Sequence, residues 1–330
     1  MLTALPRIIR TMPRRYVVSR FVTVSWSDGD VQITSPVVGK TFTIRDASLL
    51  QLLSAFAEPR TIDDYSSDVA TVLEEWIATS ILVDADATEL AAAHHWDRAA
   101  LALHASSRDP SWRKTPGHKT PAIAPRRSTE TIALAKASAH RGADLATLLD
   151  TRRSRREWAN APIAFQAFSD LFWLSARNRG RSRAYPSGGA AYSLELYPVV
   201  ADDAVETLAR GVYRYLPDAH ALELVSAFSA DSDPFLIAAG RAAGTTPPPM
   251  AIIITSRYAR QSEEYTRLAY SLVLKEVGCL FQTLYLAAES LGLAACALGG
   301  GTPRRLLAEL CGMSELEEPI VGEFALGARR

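Results

Sequence analysis

Short apolar runs alternate with polar turns over the first 85 residues of the chain. Apolar residues precede the Ser27-Asp28-Gly29-Asp30 turn and alternate after it, and Asp-Gly is a strong signal for a two-residue hairpin turn. We therefore predict a β-hairpin over residues 17–35 that includes Val18. Apolar residues then recur at helical spacing after Asp46, a predicted N-cap, and again over residues 69–77. With a return strand at Ile81-Leu82-Val83, these elements predict a small α+β module over residues 1–100.

A proline-rich segment follows this module. Four prolines fall within sixteen residues, at Pro110, Pro116, Pro121 and Pro125. Proline disrupts both helices and central strands, so this composition predicts a linker or an extended arm. We place the arm at residues 101–139 and a second domain at residues 140–330.

The second domain combines continuous apolar runs with helical periodicity. The apolar runs predict buried strands at Leu194–Val200, Met250–Thr255, Leu293–Leu298 and Ile320–Leu326. Helical spacing predicts a helix that opens at Pro162 and a longest helix that runs from Glu264 to Leu291. This half of the chain is therefore expected to be an α+β domain.

Composition narrows the class of protein. The 330 residues include 36 Lys plus Arg and 36 Asp plus Glu, so the formal net charge is zero, and 48% of residues are hydrophobic. These values favour packed cores and argue against nucleic-acid binding over the whole surface. The three cysteines are far apart and the six histidines have no ligand spacing, which argues against a disulfide framework and a metal site. With neither a signal peptide nor a long apolar run, we expect a cytoplasmic protein without a membrane segment.

Candidate chemistry lies in one arginine run and two glycine-rich segments. Arg152-Arg153-Ser154-Arg155-Arg156 suits a phosphate monoester, because guanidinium groups offer paired donors and stay charged; the alternative is a solvated basic turn. The segments 186–192 and 298–302 would let the backbone approach a flat ligand. Neither a G-x-G-x-x-G motif nor a Walker A motif occurs in the sequence, which disfavours a Rossmann nicotinamide site and a P-loop.

The order of these motifs resembles the nitroreductase superfamily over residues 140–330. The arginine run is followed by Pro-Ser-Gly-Gly-Ala before Leu194–Tyr197, then by Gly211–Tyr215 with His220, and then by a long helix that contains Gln282. The resemblance is closest to the SagB-type dehydrogenase branch, which includes the azoline oxidases of ribosomal peptide natural product biosynthesis. It implies a nitroreductase-like α+β FMN domain, with a mixed central sheet flanked by helices, in a domain-entwined homodimer.

The resemblance also implies which residues bind FMN. The phosphate and ribityl chain would be held by Arg152, Arg153, Ser154 and Arg156, with Arg329 returning to the phosphate after the last strand. The flavin ring would be lined by Pro186, Ser187, Gly188 and Gly189 from the other subunit and covered by Leu298, Gly299 and Gly300. Gln282, in the matching helix, is expected among the cofactor-binding residues.

The activity implied is oxidation of peptide thiazolines or oxazolines to thiazoles or oxazoles. A base removes the proton α to the carbonyl while hydride leaves the neighbouring ring carbon for the flavin. Azoline oxidases carry a Lys-Tyr pair where this chain has Glu264-Tyr265. A tyrosine ordinarily titrates near pH 10, so Tyr265 needs a nearby cation to act as a base. Lys275 is a candidate for that cation, and Glu264 is an alternative base.

The N-terminal module is compatible with the winged-helix-like leader-recognition domain found on some of these enzymes, or with an ordinary small α+β domain. A heterocyclised precursor peptide and a cyclodehydratase are thus expected partners. Two other functions stay open: an NAD(P)H-dependent nitroreductase acting on a small molecule, and a ligand-sensing winged-helix DNA-binding regulator. The zero net charge and the absence of Lys and Arg from Val69–Ile77 argue against the regulator.

Overall fold

The computed structural model describes residues 13–27, 29–86, 97–108, 131–135, 144–227, 234–265, 267–302 and 314–330. The chain forms two compact units, Met1–Trp112 and Arg113–Arg330. Each unit has its own hydrophobic core.

Unit 1 is a small α+β module. Its elements are β1 (Tyr16–Val18), β2 (Thr23–Ser27), β3 (Asp30–Ser35), β4 (Lys40–Ile44), α1 (Ala47–Ala55), α2 (Ser67–Ala78), β5 (Leu82–Asp84) and α3 (Arg98–Arg108). Strands β2, β3 and β4 form an antiparallel sheet, and the predicted hairpin is confirmed as β2–β3. The prediction was wrong for Val18, which lies in β1 and pairs with Leu82 of β5.

The two central helices of unit 1 cover its core. Asp46 caps α1 as predicted, because its carboxylate accepts a hydrogen bond from the Ser48 amide at 2.8 Å. Helix α2 buries Leu73 and Trp76, which pack with Ile33 and Phe56. Apolar spacing of three and four residues therefore identifies the inner faces of both helices correctly.

Unit 2 is built on one seven-stranded sheet. Its elements are β6 (Thr131–Ala133), α4 (Leu145–Thr151), α5 (Phe165–Ser175), β7 (Leu194–Val200), β8 (Gly211–Leu216), β9 (Ala221–Ser226), α6 (Pro234–Ala243), β10 (Met250–Ser256), α7 (Tyr258–Ser262), α8 (Ala269–Ser290), β11 (Leu293–Leu298) and β12 (Ile320–Ala328). The strand order is β11-β12-β10-β7-β8-β9-β6.

The sheet corrects one prediction. Every pair of neighbouring strands described in it is antiparallel, so the mixed sheet was wrong. The reason is physical: strands β7 and β10 are buried along their whole length, and an apolar run reports burial of both faces without reporting strand direction.

The sheet is covered on both faces. On one face α5 and α8 contribute Phe168, Phe172, Leu280 and Leu284 to the larger core. On the other face α6 contributes Phe235 and Leu236.

The arm predicted at residues 101–139 is partly ordered. Helix α3 occupies its first residues, and β6 pairs with β9 at the edge of the sheet. The four prolines lie outside the described residues.

The long helix α8 begins later than predicted. It runs from Ala269 rather than Glu264, because the chain makes a separate short helix, α7, and a turn before it. By length and composition alone, α8 is the one helix among the described residues that could cross a membrane. Its inner face is nevertheless buried against the sheet, as in the core helix of a globular domain.

His220, which follows the Gly211–Tyr215 motif, connects the β8–β9 hairpin to α5 by hydrogen bonds. Its imidazole is hydrogen-bonded to the Tyr215 hydroxyl at 2.8 Å and to the Ser169 hydroxyl at 3.0 Å. Burial lowers the pKa of this histidine, which favours the neutral ring. The segment from Gly211 to His220 therefore contributes to the packing of the β8–β9 hairpin against α5.

Candidate functional site

The arginine run lies along an edge of the sheet. Residues 152–156 follow α4 and pass beside β11, the terminal strand, where the Arg155 amide donates to the Ala295 carbonyl at 2.8 Å. The Arg152 guanidinium lies 5.0 Å from the centre of the Tyr285 ring, in cation–π contact. These contacts fix the backbone of the run beside the strand.

Tyr285 of α8 connects the arginine run to β11. Its hydroxyl accepts a hydrogen bond from the Ala297 amide at 2.7 Å and lies 2.8 Å from the Ser154 hydroxyl. Because the amide can only donate, the tyrosine proton is available to Ser154. One buried phenol thereby positions both a backbone segment and a predicted phosphate-binding serine.

A cavity of about 420 Å³ lies beside the arginine run. It is lined by Arg153, Ser154, Arg155, Arg156, Glu157, Arg329 and Arg330. The structure therefore brings Arg329, which is distant in sequence, to the same cavity as Arg153, Ser154 and Arg156, whereas Arg152 stacks on Tyr285 instead.

Ion pairs neutralise only part of the positive charge that lines this cavity. Glu289 pairs with Arg329 at 3.2 Å and with Arg155 at 3.5 Å. Within the described part of the chain, Arg153 and Arg156 have no carboxylate partner. An excess of guanidinium charge beside a serine hydroxyl suits a phosphate dianion.

The glycine turn after β11 opens onto a second and larger cavity. This cavity measures about 980 Å³, and its walls include Leu298, Gly299, Gly300, Tyr270, Leu274 and Phe281. Gly300 and Gly301 have φ angles of +125° and +143°, values that favour glycine. A flat, largely apolar ligand can thus lie against the turn and the outer face of α8.

The predicted loop Pro186–Gly189 lines neither cavity and packs against Tyr265. Gly189 has a φ of +63°, and a Cβ there would lie 3.1 Å from the Tyr265 hydroxyl oxygen. Gly188 accepts a hydrogen bond from the Gln261 side chain at 3.3 Å. Within one chain, this loop and Tyr265 form a third group of predicted site residues.

The remaining predicted residues are solvent-facing. Glu264 is exposed in the turn before α8, and Lys275 and Gln282 are exposed on α8. All three lie outside the two cavities. In the described ranges, no three His, Cys, Asp or Glu side chains come together as metal ligands.

Sequence reasoning missed residues whose roles depend on tertiary contacts. Tyr285 lies on the predicted inner face of the long helix, between Leu284 and Ala288, but its hydrogen-bonding partners come from distant segments. Glu289 and Arg330 likewise join the arginine cavity only through folding. Glu276, a buried carboxyl of α8, was also missed.

Comparison with known proteins shows which family the sequence resembles. The model of the nitroreductase family matches residues 149–328. A protein of Methanocaldococcus jannaschii named as a nitroreductase is 31% identical over 158 residues, which is 47% of this chain and 78% of that protein. The microcin B17-processing protein McbC of Escherichia coli is 30% identical over 113 residues, 34% of this chain and 42% of McbC. This second match therefore spans less than half of McbC.

A solved structure supports the fold. The crystal structure of a nitroreductase-like protein from Anabaena variabilis covers 61% of this chain and 42% of its own, with 22% identity and a TM-score of 0.52. At this identity the similarity concerns the fold alone.

The position of Tyr285 generates a stability prediction. Replacing Tyr285 by Phe keeps the ring and the Arg152 contact but leaves the Ala297 amide without its acceptor. We expect the free energy of unfolding to fall by roughly 1–3 kcal/mol, measured by urea denaturation. The matched control is Tyr270→Phe on the exposed face of the same helix, which should change stability little. Equal stability of Tyr285→Phe and wild type would show that the hydroxyl does not hold the edge.

Proposed function

The chain belongs to the nitroreductase family of flavin oxidoreductases, and we propose that it is an FMN-dependent dehydrogenase that oxidises azoline rings in a modified peptide. The observation that carries the cofactor assignment is the convergence of Arg153, Ser154, Arg156 and Arg329 on one cavity. Similarity to a microcin-processing protein supports a peptide substrate. The family motif order, which is closest to azoline oxidases, supports the reaction.

The residues present fit the phosphate and ring of FMN. Arg153 and Arg156 are available to the phosphate, because Glu289 pairs with Arg155 and Arg329 instead. The Ser154 hydroxyl lies 2.8 Å from the Tyr285 hydroxyl, and when the phenol is the donor of that hydrogen bond the serine proton can be donated to the ligand. Gly299 and Gly300, which directly follow the edge strand β11, supply a surface without side chains for the ring.

When bound, FMN supplies the hydride acceptor that the side chains of the protein lack. Tyr265 takes the ring proton in the proposed reaction. Its ring rests on Gly189, a residue without a side chain, so the phenol is held at a fixed place on the loop. Arg267 is the nearest basic residue along the chain, and Glu264 is the nearest carboxylate. Arg267 and Lys275 are both exposed, so exposure does not distinguish these two candidates for the supporting cation.

The proposed enzyme is a homodimer in which the Pro186–Gly189 loop of one subunit covers the flavin of the other. Two observations support this arrangement. The loop lines neither cavity of its own chain. The outer face of α8 carries Tyr270 and Leu274, each 40% exposed, beside the larger cavity.

Unit 1 is proposed to bind the leader of the precursor peptide, and a cyclodehydratase is proposed to supply the azoline. The compact core of unit 1 is separate from that of unit 2, which supports an independent binding role for unit 1. Trp26 is 73% exposed on β2, and exposed tryptophans are frequent anchors at binding surfaces.

The cofactor assignment predicts a phosphate-specific defect. Arg156→Gln should weaken FMN binding about 10- to 100-fold, because a charge-assisted hydrogen bond contributes roughly 1.5–3 kcal/mol. Binding of riboflavin, which lacks the phosphate, should not change. Fluorescence titration measures both affinities, with the exposed Arg181→Gln as control. Wild-type protein that binds riboflavin as tightly as FMN would contradict the assignment.

The proposed homodimer predicts that sedimentation of the yellow protein gives twice the chain mass of 35.9 kDa.

The proposed proton acceptor predicts a defect in chemistry without a defect in binding. Tyr265→Phe should keep FMN and lose azole formation by about 10²–10⁴-fold, measured by the mass decrease of 2 Da per ring oxidised. Glu264→Ala separates the two candidate bases. Its rate falls similarly if the carboxylate is the base, and is unchanged or higher if its charge opposes the phenolate.

The substrate must be a bona fide azoline peptide, and NAD(P)H oxidation with a nitroarene serves as the competing assay. Rapid turnover of NAD(P)H and nitroarene with no azole formed would favour the small-molecule nitroreductase function. If Tyr265→Phe forms azole at the wild-type rate, the tyrosine takes no part in the proton transfer.

The leader proposal predicts where the peptide binds on the full chain. Leader-bearing substrate should have a KM at least tenfold below that of the leaderless core peptide. Hydrogen exchange should show protection within residues 13–86 on addition of the leader alone. Protection confined to residues 144–330 would assign leader binding to the flavin unit instead.

A further inference from the structure

Glu276 is a buried carboxyl on the side of α8 that faces the Pro186–Gly189 loop. The side chain is 3% exposed, and neither carboxyl oxygen forms a hydrogen bond of standard geometry. One helical turn earlier, Leu272 packs on the same loop, since a Cβ at Gly188 would lie 3.3 Å from Leu272 Cδ1. Residues four apart share a helix face, so Glu276 lies beneath the loop.

Four groups from the neighbouring segments face this carboxyl. They are Arg183 and Tyr185 before the loop, Ser187 within it, and Ser193 after it. Burial raises the pKa of Glu276 to about 7, and the two serines and Arg183 limit that rise. Burial also raises the pKa of Tyr185 to about 12. Of Glu276 and Tyr185, the glutamate is therefore the one that changes charge near neutrality.

Ser187 connects Glu276 to the conformation of the loop. Its hydroxyl oxygen accepts a hydrogen bond from the Tyr192 amide at 2.9 Å, which closes the turn through Gly188–Ala190. Gly189, in the middle of that turn, supports Tyr265. A change at Ser187 therefore reaches both the predicted flavin-lining backbone and the proposed proton acceptor.

We propose that Glu276 is a positioning residue whose neutral form holds the Pro186–Gly189 loop in its working conformation, and that its ionisation releases the loop. This inference rests on the proposed function, because the loop and Tyr265 belong to that site. The neutral carboxyl tolerates burial beneath the loop. The carboxylate loses its hydration there, and Arg183, Ser187 and Ser193 do not offset that loss, because the pKa of Glu276 is still raised.

The first test is the pH profile of azole formation by the FMN-loaded full chain. The neutral fraction of a carboxyl with a pKa of about 7 falls about tenfold between pH 6 and pH 8, so the wild-type rate should fall about tenfold. Glu276→Gln stays neutral and should lack this decline. Glu317→Gln, at an exposed glutamate of the same unit, should keep the wild-type profile. A decline that persists in Glu276→Gln would overturn the proposal.

The second test does not depend on the azoline reaction. Hydrogen exchange over residues 186–193, corrected for intrinsic pH dependence, should accelerate between pH 6 and pH 8 in wild type. It should stay slow in Glu276→Gln and be fast at both pH values in Glu276→Ala. Equal exchange in wild type and Glu276→Gln at pH 8 would reject loop control. If exchange follows the prediction while wild type oxidises no azoline peptide, the proposed function fails and the role of Glu276 in the loop stands.

Discussion

The open edge of β11 is the constraint on which the candidate site depends. As the terminal strand of the described sheet, β11 pairs on one side with β12 and leaves backbone groups on the other side without a strand partner. Buried backbone groups require hydrogen bonds. The Arg155 amide satisfies the Ala295 carbonyl, and the Tyr285 hydroxyl satisfies the Ala297 amide. Satisfying the edge thus places the arginines next to the glycine turn that ends the same strand.

Two buried glutamates in unit 2 differ in the ion pairs that surround them. Glu195 is 4% exposed and has ion pairs with Arg214, Arg257 and Arg260 at 3.1–3.2 Å. Such ion pairs offset part of the hydration that a buried carboxylate loses. Glu276 is equally buried, but of the groups that face it only Arg183 is a cation, and that guanidinium already bonds Tyr185 and the Leu194 carbonyl. The difference lies in the surroundings, since the side chains are identical.

The sequence predicted those parts of the fold that depend on local pattern. Continuous apolar runs identified β7, β10, β11 and β12, and Asp-Gly identified the β2–β3 hairpin. Strand direction, the pairing of Val18 with Leu82, and the start of α8 depend on contacts between distant residues, and each was predicted wrongly. The same holds for the site. Motif order grouped Arg153, Ser154, Arg156 and Arg329 as predicted phosphate-binding residues, and these four line one cavity, whereas the neighbours of Tyr285 and Glu276 come close only in the folded chain.

The proposed dimer has a consequence for how the site is shared between subunits. The arginine run lies beside β11 and the glycine turn follows it, whereas Tyr265 and Glu276 both pack on the Pro186–Gly189 loop. If that loop covers the flavin of the partner subunit, Tyr265 and Glu276 accompany it, because the loop is fixed to them. Each site would then combine cofactor-binding arginines from one chain with a proton acceptor from the other. Titration of Glu276 would thereby act on the partner's flavin, so dimerisation and loop control would be parts of one mechanism.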